Sequence, residues 1–311
     1  MPKSILGYAI ATTGYHQLWI SIVSVAIAIA TTAPIALQKS IINDAIEGKE
    51  MDLLILLCSA LLGVILARSG LKYLLGIYQN WIAQSSIHSE RHLLAKAFAG
   101  DSKTGESDSG QDNGGQAVSV INNEIEHVGR FVGTGISDLV ADGSKLIFAI
   151  GYMLWVEPLV ALVGAAFLLP QVIIVPLLQK ILNRLMRERT DQLRDLSDQV
   201  SDLRAGDDLL PEEFDEKLDE IFSNRVQAAA VKYGIKIIVN ILNALAPLSV
   251  LAFGGYLYIQ GDTSLGTIVA FTTGFDRMAG PLRALVNYYR IASVRHQQYG
   301  KIVSWKEAAL A

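Results

Sequence analysis

Three stretches of this chain, Leu18–Leu37, Leu159–Leu178 and Ile237–Ile259, run apolar without one charged side chain. Each is long enough to cross a bilayer, whose hydrocarbon core of about 30 Å needs roughly 20 residues of helix. A segment in lipid must satisfy its own backbone hydrogen bonds, so each of these stretches is committed to helix. Three further apolar runs carry charges: Leu53–Tyr78 holds Arg68 and Lys72, Leu139–Val156 holds Asp142 and Lys145, and Leu265–Val286 holds Asp276, Arg277 and Arg283. Helices with charges at membrane depth turn them toward a protein interior or a wet cavity. The pattern predicts an all-α membrane protein of six spans, three tolerant of lipid and three lined with polar groups.

Composition supports this reading. The chain is 51% hydrophobic and 18% charged, where a soluble domain carries roughly 25% charge. A net charge of -4 leaves no basic face for a nucleic acid. Cys58 is the sole cysteine; it can form no intramolecular disulfide and reads as a small apolar residue. The first run is longer than the roughly 7–15 residues of a signal-peptide core, and no markedly basic segment precedes it. It is expected to stay as a span.

The connections are lopsided. Three are tiny, at Glu47–Asp52, Glu157-Pro158 and Gly261–Ser264, while two are long excursions over residues 79–130 and 180–232. A helix from Asp52 to about Ala99 would be roughly 70 Å long, more than twice the membrane thickness. One from Pro158, suited to a first helical turn, to Ala205 would be similar. The three tiny loops hold one base, Lys49, against Glu47, Glu50, Asp52, Glu157 and Asp262. The positive-inside rule then puts the long excursions and both termini in the cytoplasm.

Breakers mark the tips of both excursions. Residues 100–115 form a Gly-, Ser- and Asp-rich loop. A second patch runs from Arg204 to Pro211, with a new helix expected at Pro211 and Glu212 and Glu213 in its first turn. From Asp202 to Glu220 nine acids face two bases. Such a run is a solvated face or, at a cytoplasmic tip, a docking surface for a basic partner.

Several segments resemble the transmembrane domain of ATP-binding-cassette (ABC) exporters. Gly254–Phe271 (GGYLYIQGDTSLGTIVAF) is similar to that family's turn between spans five and six, and Gly280-Pro-Leu-Arg283 to its span-six breaker. Gly115–Val128 (GQAVSVINNEIEHV) resembles its first intracellular loop, and Ile5–Thr13 its interfacial elbow helix. The likeness covers the whole chain in order. The second tip departs from it: Gly206 is followed by Asp-Asp-Leu-Leu-Pro where the family has Gly-Ile-x-x-Val-Lys. The resemblance implies an elbow segment at 1–16, a six-helix domain at 17–305 and a tail at 306–311.

It also implies a permease subunit, as a homodimer or paired with a related membrane chain, among membrane lipids. No G-x-x-x-x-G-K-[ST] phosphate loop occurs in the sequence, so no cofactor and no enzymatic step are expected on this chain. ATP and Mg would be held by a separate nucleotide-binding subunit. That subunit would couple through Asn113, Gly114, Gly115, Gln116, Ala117 and Val118 at the first tip. At the second it would meet Gly206, Asp207, Asp208, Leu209, Leu210 and Pro211. A bacterial plasma (inner) membrane is the expected location.

Counting from the outer turns at about 1.5 Å per residue puts Lys145, Asp276, Asp142 and Arg277 roughly 17–20 Å deep, at one level. They are the candidates for a substrate cavity, and pairing among them is expected, for instance Lys145 with Asp276; a structural ion pair holding two helices together is the other reading. Arg68, Lys72 and Arg283 read as snorkelling anchors nearer the cytoplasm. His88 and His92 have metal-like spacing on one helix, but a solvated face explains them better. An alternative reading is an ion-gradient-driven transporter on the same fold, with Asp276 or Asp142 carrying the proton. A membrane scaffold without transport is a third.

Overall fold

The computed structural model describes residues 4–101, 123–202 and 212–310, all of them in helices or the short turns that join them. The proposed coupling segments, Asn113–Val118 and Gly206–Pro211, lie outside the described residues.

The first helix, α1, spans Ile5–Ser40. Ser4 caps it, its hydroxyl accepting from the Gly7 amide at 3.1 Å. The helix kinks at Thr13 (φ -131°, ψ 22°). Gln17 braces the kink, its amide donating to Thr13 Oγ1 at 2.9 Å and to the Val132 carbonyl at 2.6 Å. A π-helical turn, Ile41–Ile46, follows α1 and leads into the first tight loop.

Helix α2 runs unbroken over Met51–Asp101, 51 residues, or about 75 Å at 1.5 Å per residue. Helix α3 covers Ile125–Val156. Glu157 leaves helical geometry (φ -152°) and Pro158 starts α4, Pro158–Leu168. The long helix expected from Pro158 is interrupted for one residue at Leu169, which keeps right-handed helical geometry (φ -60°, ψ -38°), and continues as α5, Pro170–Asp202. Pro170 offers no amide to the preceding turn, so the hydrogen-bond ladder lapses there while the chain stays helical. Helix α6 spans Glu212–Gln260 and α7 spans Leu265–Leu310. Gly261, at φ 86°, makes the turn between them, a conformation that costs a side-chain-bearing residue energy. Pro281 lies inside α7 without ending it, so the expected breaker is a missing hydrogen bond rather than a broken helix.

Among the described residues, five segments are long and apolar enough to cross a membrane, on α1, α2, α3, the α4–α5 pair and α6. Helix α7 falls outside this group; Asp276 and Arg277, with neighbouring glycines and threonines, dilute its apolar run.

The buried residues divide into separate cores. One joins α1, α2, α3 and α7 toward the end of the bundle where α1 begins and α7 finishes, through Ile20, Ile82, Ile87, Phe131, Val132, Tyr299 and Ile302. The other lies near the tight turns at the opposite end and joins α1, α3, α4, α6 and α7 through Ile35, Met153, Val160, Val250, Phe271 and Phe275. Small residues let the backbones approach. A Cβ on Gly133 would meet the Ala83 side chain and the Gln79 carbonyl of α2, and one on Gly164 would meet Phe275 and Val250. Helices α5 and α6 pack on each other through Leu182, Leu185 and Ala228.

Candidate functional site

A half-open cavity of about 710 Å³ lies between these cores, walled by α1, α2, α3 and α7. The spacing of its lining residues follows from helix geometry. On α2, Arg68, Lys72, Leu75, Gly76 and Gln79 recur at three- and four-residue intervals and so share one face. On α3, Asp138, Ala141 and Lys145 do the same; α7 gives Arg277 and Pro281, and α1 gives Ser24, Ile27 and Thr31. The transmembrane part of α2 buries nothing inside the chain. Its C-terminal half is held to α3 by Ala83 beneath Gly133 and by Gln79, which donates to Ser137 Oγ at 2.6 Å.

The ion pair in the wall differs from the one expected. Lys145 Nζ bonds Asp142 Oδ1 at 2.8 Å, three residues back on the same helix. Asp276 is exposed and has no ion-pair partner among the described residues. The reason is angular. Equal depth does not give equal direction, and residues adjacent on a helix point about 100° apart at 3.6 residues per turn. Arg277 is therefore turned to the cavity, while Asp276 is not part of its wall.

Arg68 and Lys72 also depart from the expectation, since they line this cavity instead of serving only as anchors. Arg283 lines a smaller cleft of about 170 Å³ among α5, α6 and α7, together with Lys232, Lys236 and Gln171. Asp138 was not singled out in the sequence. It lies one residue outside the run Leu139–Val156, and only its four-residue spacing from Asp142 marked it as sharing that face.

Pro281 adds one more polar group. It has no amide to donate to the Arg277 carbonyl four residues earlier, so that carbonyl loses its helical partner beside the cavity. Arg283 Nε donates to the Ala279 carbonyl on the same helix at 3.1 Å.

Two clamps hold the frame around the cavity. At the end with the tight turns, Asn43 donates to Ser264 Oγ at 2.8 Å and accepts from the Gly266 amide at 2.8 Å, tying the π-helical turn to the start of α7. At the opposite end, the Tyr8 hydroxyl donates to Glu90 Oε1 at 2.5 Å and the Tyr8 ring sits 4.9 Å from that of Tyr299. Burial, reinforced by the Glu90 charge, holds the Tyr299 phenol above its ordinary pKa. His88 and His92 are exposed on α2, and no group of three metal-ligating side chains occurs among the described residues.

Apolar helices of membrane length around a charged interior define a multi-pass α-helical membrane protein. The chain belongs to the ABC transporter transmembrane region family, whose profile it matches over residues 18–203. It is 25% identical over 273 residues to YgaD of Bacillus subtilis strain 168, described as a multidrug export ATP-binding/permease protein; the match takes in 81% of this chain and 45% of that protein. Over 184 residues it is 23% identical to YfiC of the same strain, an uncharacterised ABC transporter ATP-binding protein, covering 56% of this chain and 30% of that one. A protein of Staphylococcus aureus strain NCTC 8325 / PS 47, described in the same terms as YgaD, is 24% identical over 177 residues, 54% of this chain and 30% of its own. The chain spans less than half the length of these relatives. Its fold is that of an ABC exporter transmembrane domain.

Proposed function

We propose that this chain is the permease component of an ABC exporter-type transporter and moves a substrate through the cavity by alternating access. The observation that carries the reading is the cavity itself, a charged space of about 710 Å³ walled by four helices. An apolar core lies at each end of it. Packed cores tend to occupy discrete arrangements rather than deform continuously, so a change at one end can switch which end of the cavity is open. Such a switch needs a ligand that favours one arrangement over the other.

In this reading ATP supplies that preference from a separate nucleotide-binding subunit seated on the two cytoplasmic tips. Two copies of the chain, or one with a related chain, would enclose a shared pathway. The exposed faces of α2, with Leu62, Leu66, Tyr73 and Leu74, and of the α5–α6 pair would meet the other half or lipid. Names of relatives that speak of multidrug export and ATP binding support this assignment. The cell's inner membrane, with both termini cytoplasmic, is the proposed location.

The test is purification of the tagged protein from its own host in mild detergent, with mass spectrometry of co-purifying chains and an ATPase assay. A stoichiometric partner carrying a phosphate loop, and hydrolysis that needs it, is expected. A lone protein that still transports under a proton gradient would sink the ATP-driven reading and favour the ion-driven one. Asp142→Asn and Asp138→Asn would then be the decisive variants.

A further inference from the structure

We infer that the cavity selects amphipathic anions, that is, substrates joining a phosphate, sulfate or carboxylate head to an apolar body. This deepens the transporter reading above and rests on it for the word substrate. Among the described residues, four cations line the cavity, Arg68, Lys72, Lys145 and Arg277, against one carboxylate in the wall, Asp138. Asp142 is engaged with Lys145, which leaves an excess of positive charge even when both acids are counted. Arg68 and Lys72 stand one helical turn apart, so both can reach a single anionic head. Charges of one sign in a low-dielectric cleft draw the opposite sign and repel their own.

The apolar half of the substrate has a place as well. Ile27, Leu75 and Pro281 lie in the same wall, and the cavity is open alongside an α2 whose transmembrane part is unburied. An apolar tail would therefore stay in contact with lipid-like surface while the head reached the cations. The same bias recurs in the cleft of about 170 Å³, where Lys232, Lys236 and Arg283 have no carboxylate among the lining residues. A hydrophobic cation, by contrast, would face Arg68, Lys72 and Arg277 with only Asp138 to meet it.

The test uses the full chain reconstituted in phosphatidylcholine nanodiscs and equilibrium binding of three C12 probes: dodecyl phosphate, dodecyl maltoside and dodecyltrimethylammonium. Dodecyl phosphate is expected to bind at least about tenfold tighter than either of the others. Lys72→Gln and Arg277→Gln should each weaken it by roughly tenfold. Asp138→Asn should strengthen it severalfold, a gain that misfolding cannot mimic. Repeating the titration with phosphatidylglycerol in the disc separates two sources of the anion. Competition points to a bilayer lipid, and no competition to a soluble amphiphile. Equal or tighter binding of the cation, or no effect of the glutamine variants, overturns the inference. So does inorganic phosphate binding as tightly as dodecyl phosphate, since the apolar tail would then contribute nothing. Binding needs no ATPase, so this result stays readable if no ATPase partner is found. Conversely, a cation preference beside a proven ATPase partner would remove only the substrate class.

Discussion

Asp142 and Lys145 illustrate how little an ion pair needs to contribute in order to matter here. Their side chains keep 19% and 28% of their exposure, so solvent or a wet cavity screens the attraction. A double-mutant cycle on Asp142→Ala and Lys145→Ala, read by thermal unfolding in detergent, should give a coupling of roughly 0.5–1 kcal/mol. A coupling several times larger would mean a dry, structural pair. Glycines offer a sharper contrast at the same scale. Gly133→Val places atoms against Ala83 and the Gln79 carbonyl and should destabilise by about 1–3 kcal/mol through overpacking. Gly143→Ala on the same helix meets nothing and should be neutral or slightly stabilising, since alanine is the better helix former. Unfolding midpoints of the two variants, compared with the parent, decide this.

Among the elements, the tight turns and the α5–α6 pair behave differently. The Asn43 clamp closes the end with the tight turns by two hydrogen bonds across 221 and 223 residues of chain. Asn43→Ala leaves the Gly266 amide without its acceptor and should cost about 1–3 kcal/mol; an unchanged midpoint would show that water replaces the side chain there. Among the described residues, helices α5 and α6, in contrast, meet through a small core of Leu182, Leu185 and Ala228, with Val231 and Ile235 against it, whereas α1, α2, α3 and α7 share a larger core. Fewer buried apolar contacts mean cheaper local opening. Hydrogen exchange in detergent should therefore run faster over residues 180–198 of α5 than over 125–137 of α3. The opposite order would imply that a second chain covers the pair even in detergent.

For the whole molecule, the proposed orientation, with both termini in the cytoplasm, rests on the distribution of lysine and arginine, because bases resist translocation. Cys58 is the only cysteine, so a Cys58→Ser background permits single-site labelling in intact cells. Glu50→Cys, on an outer turn, should react with a membrane-impermeant maleimide. Ser304→Cys, near the far end of α7, should react only after the cells are opened. Reversed labelling would invert the topology and, with it, the proposed side for ATP.

What could be read directly from the amino-acid order was everything that depends on local physics. Membrane helices were legible because lipid forces each segment to satisfy its own backbone, and the outer turns because Glu157-Pro158 and Gly261 end helices by their own chemistry. The charge of the cavity-bearing spans was legible too, since Asp142, Lys145, Asp276 and Arg277 stand inside apolar runs. Which of them meet was decided by the tertiary structure. Depth is a sum along one helix, but direction depends on how each helix is rotated against its neighbours. That rotation turned Arg277 inward without Asp276, joined Arg68 and Lys72 to the same wall, and brought in Asp138. Lys145 found its partner on its own helix because a neighbour one turn away is present before any packing occurs.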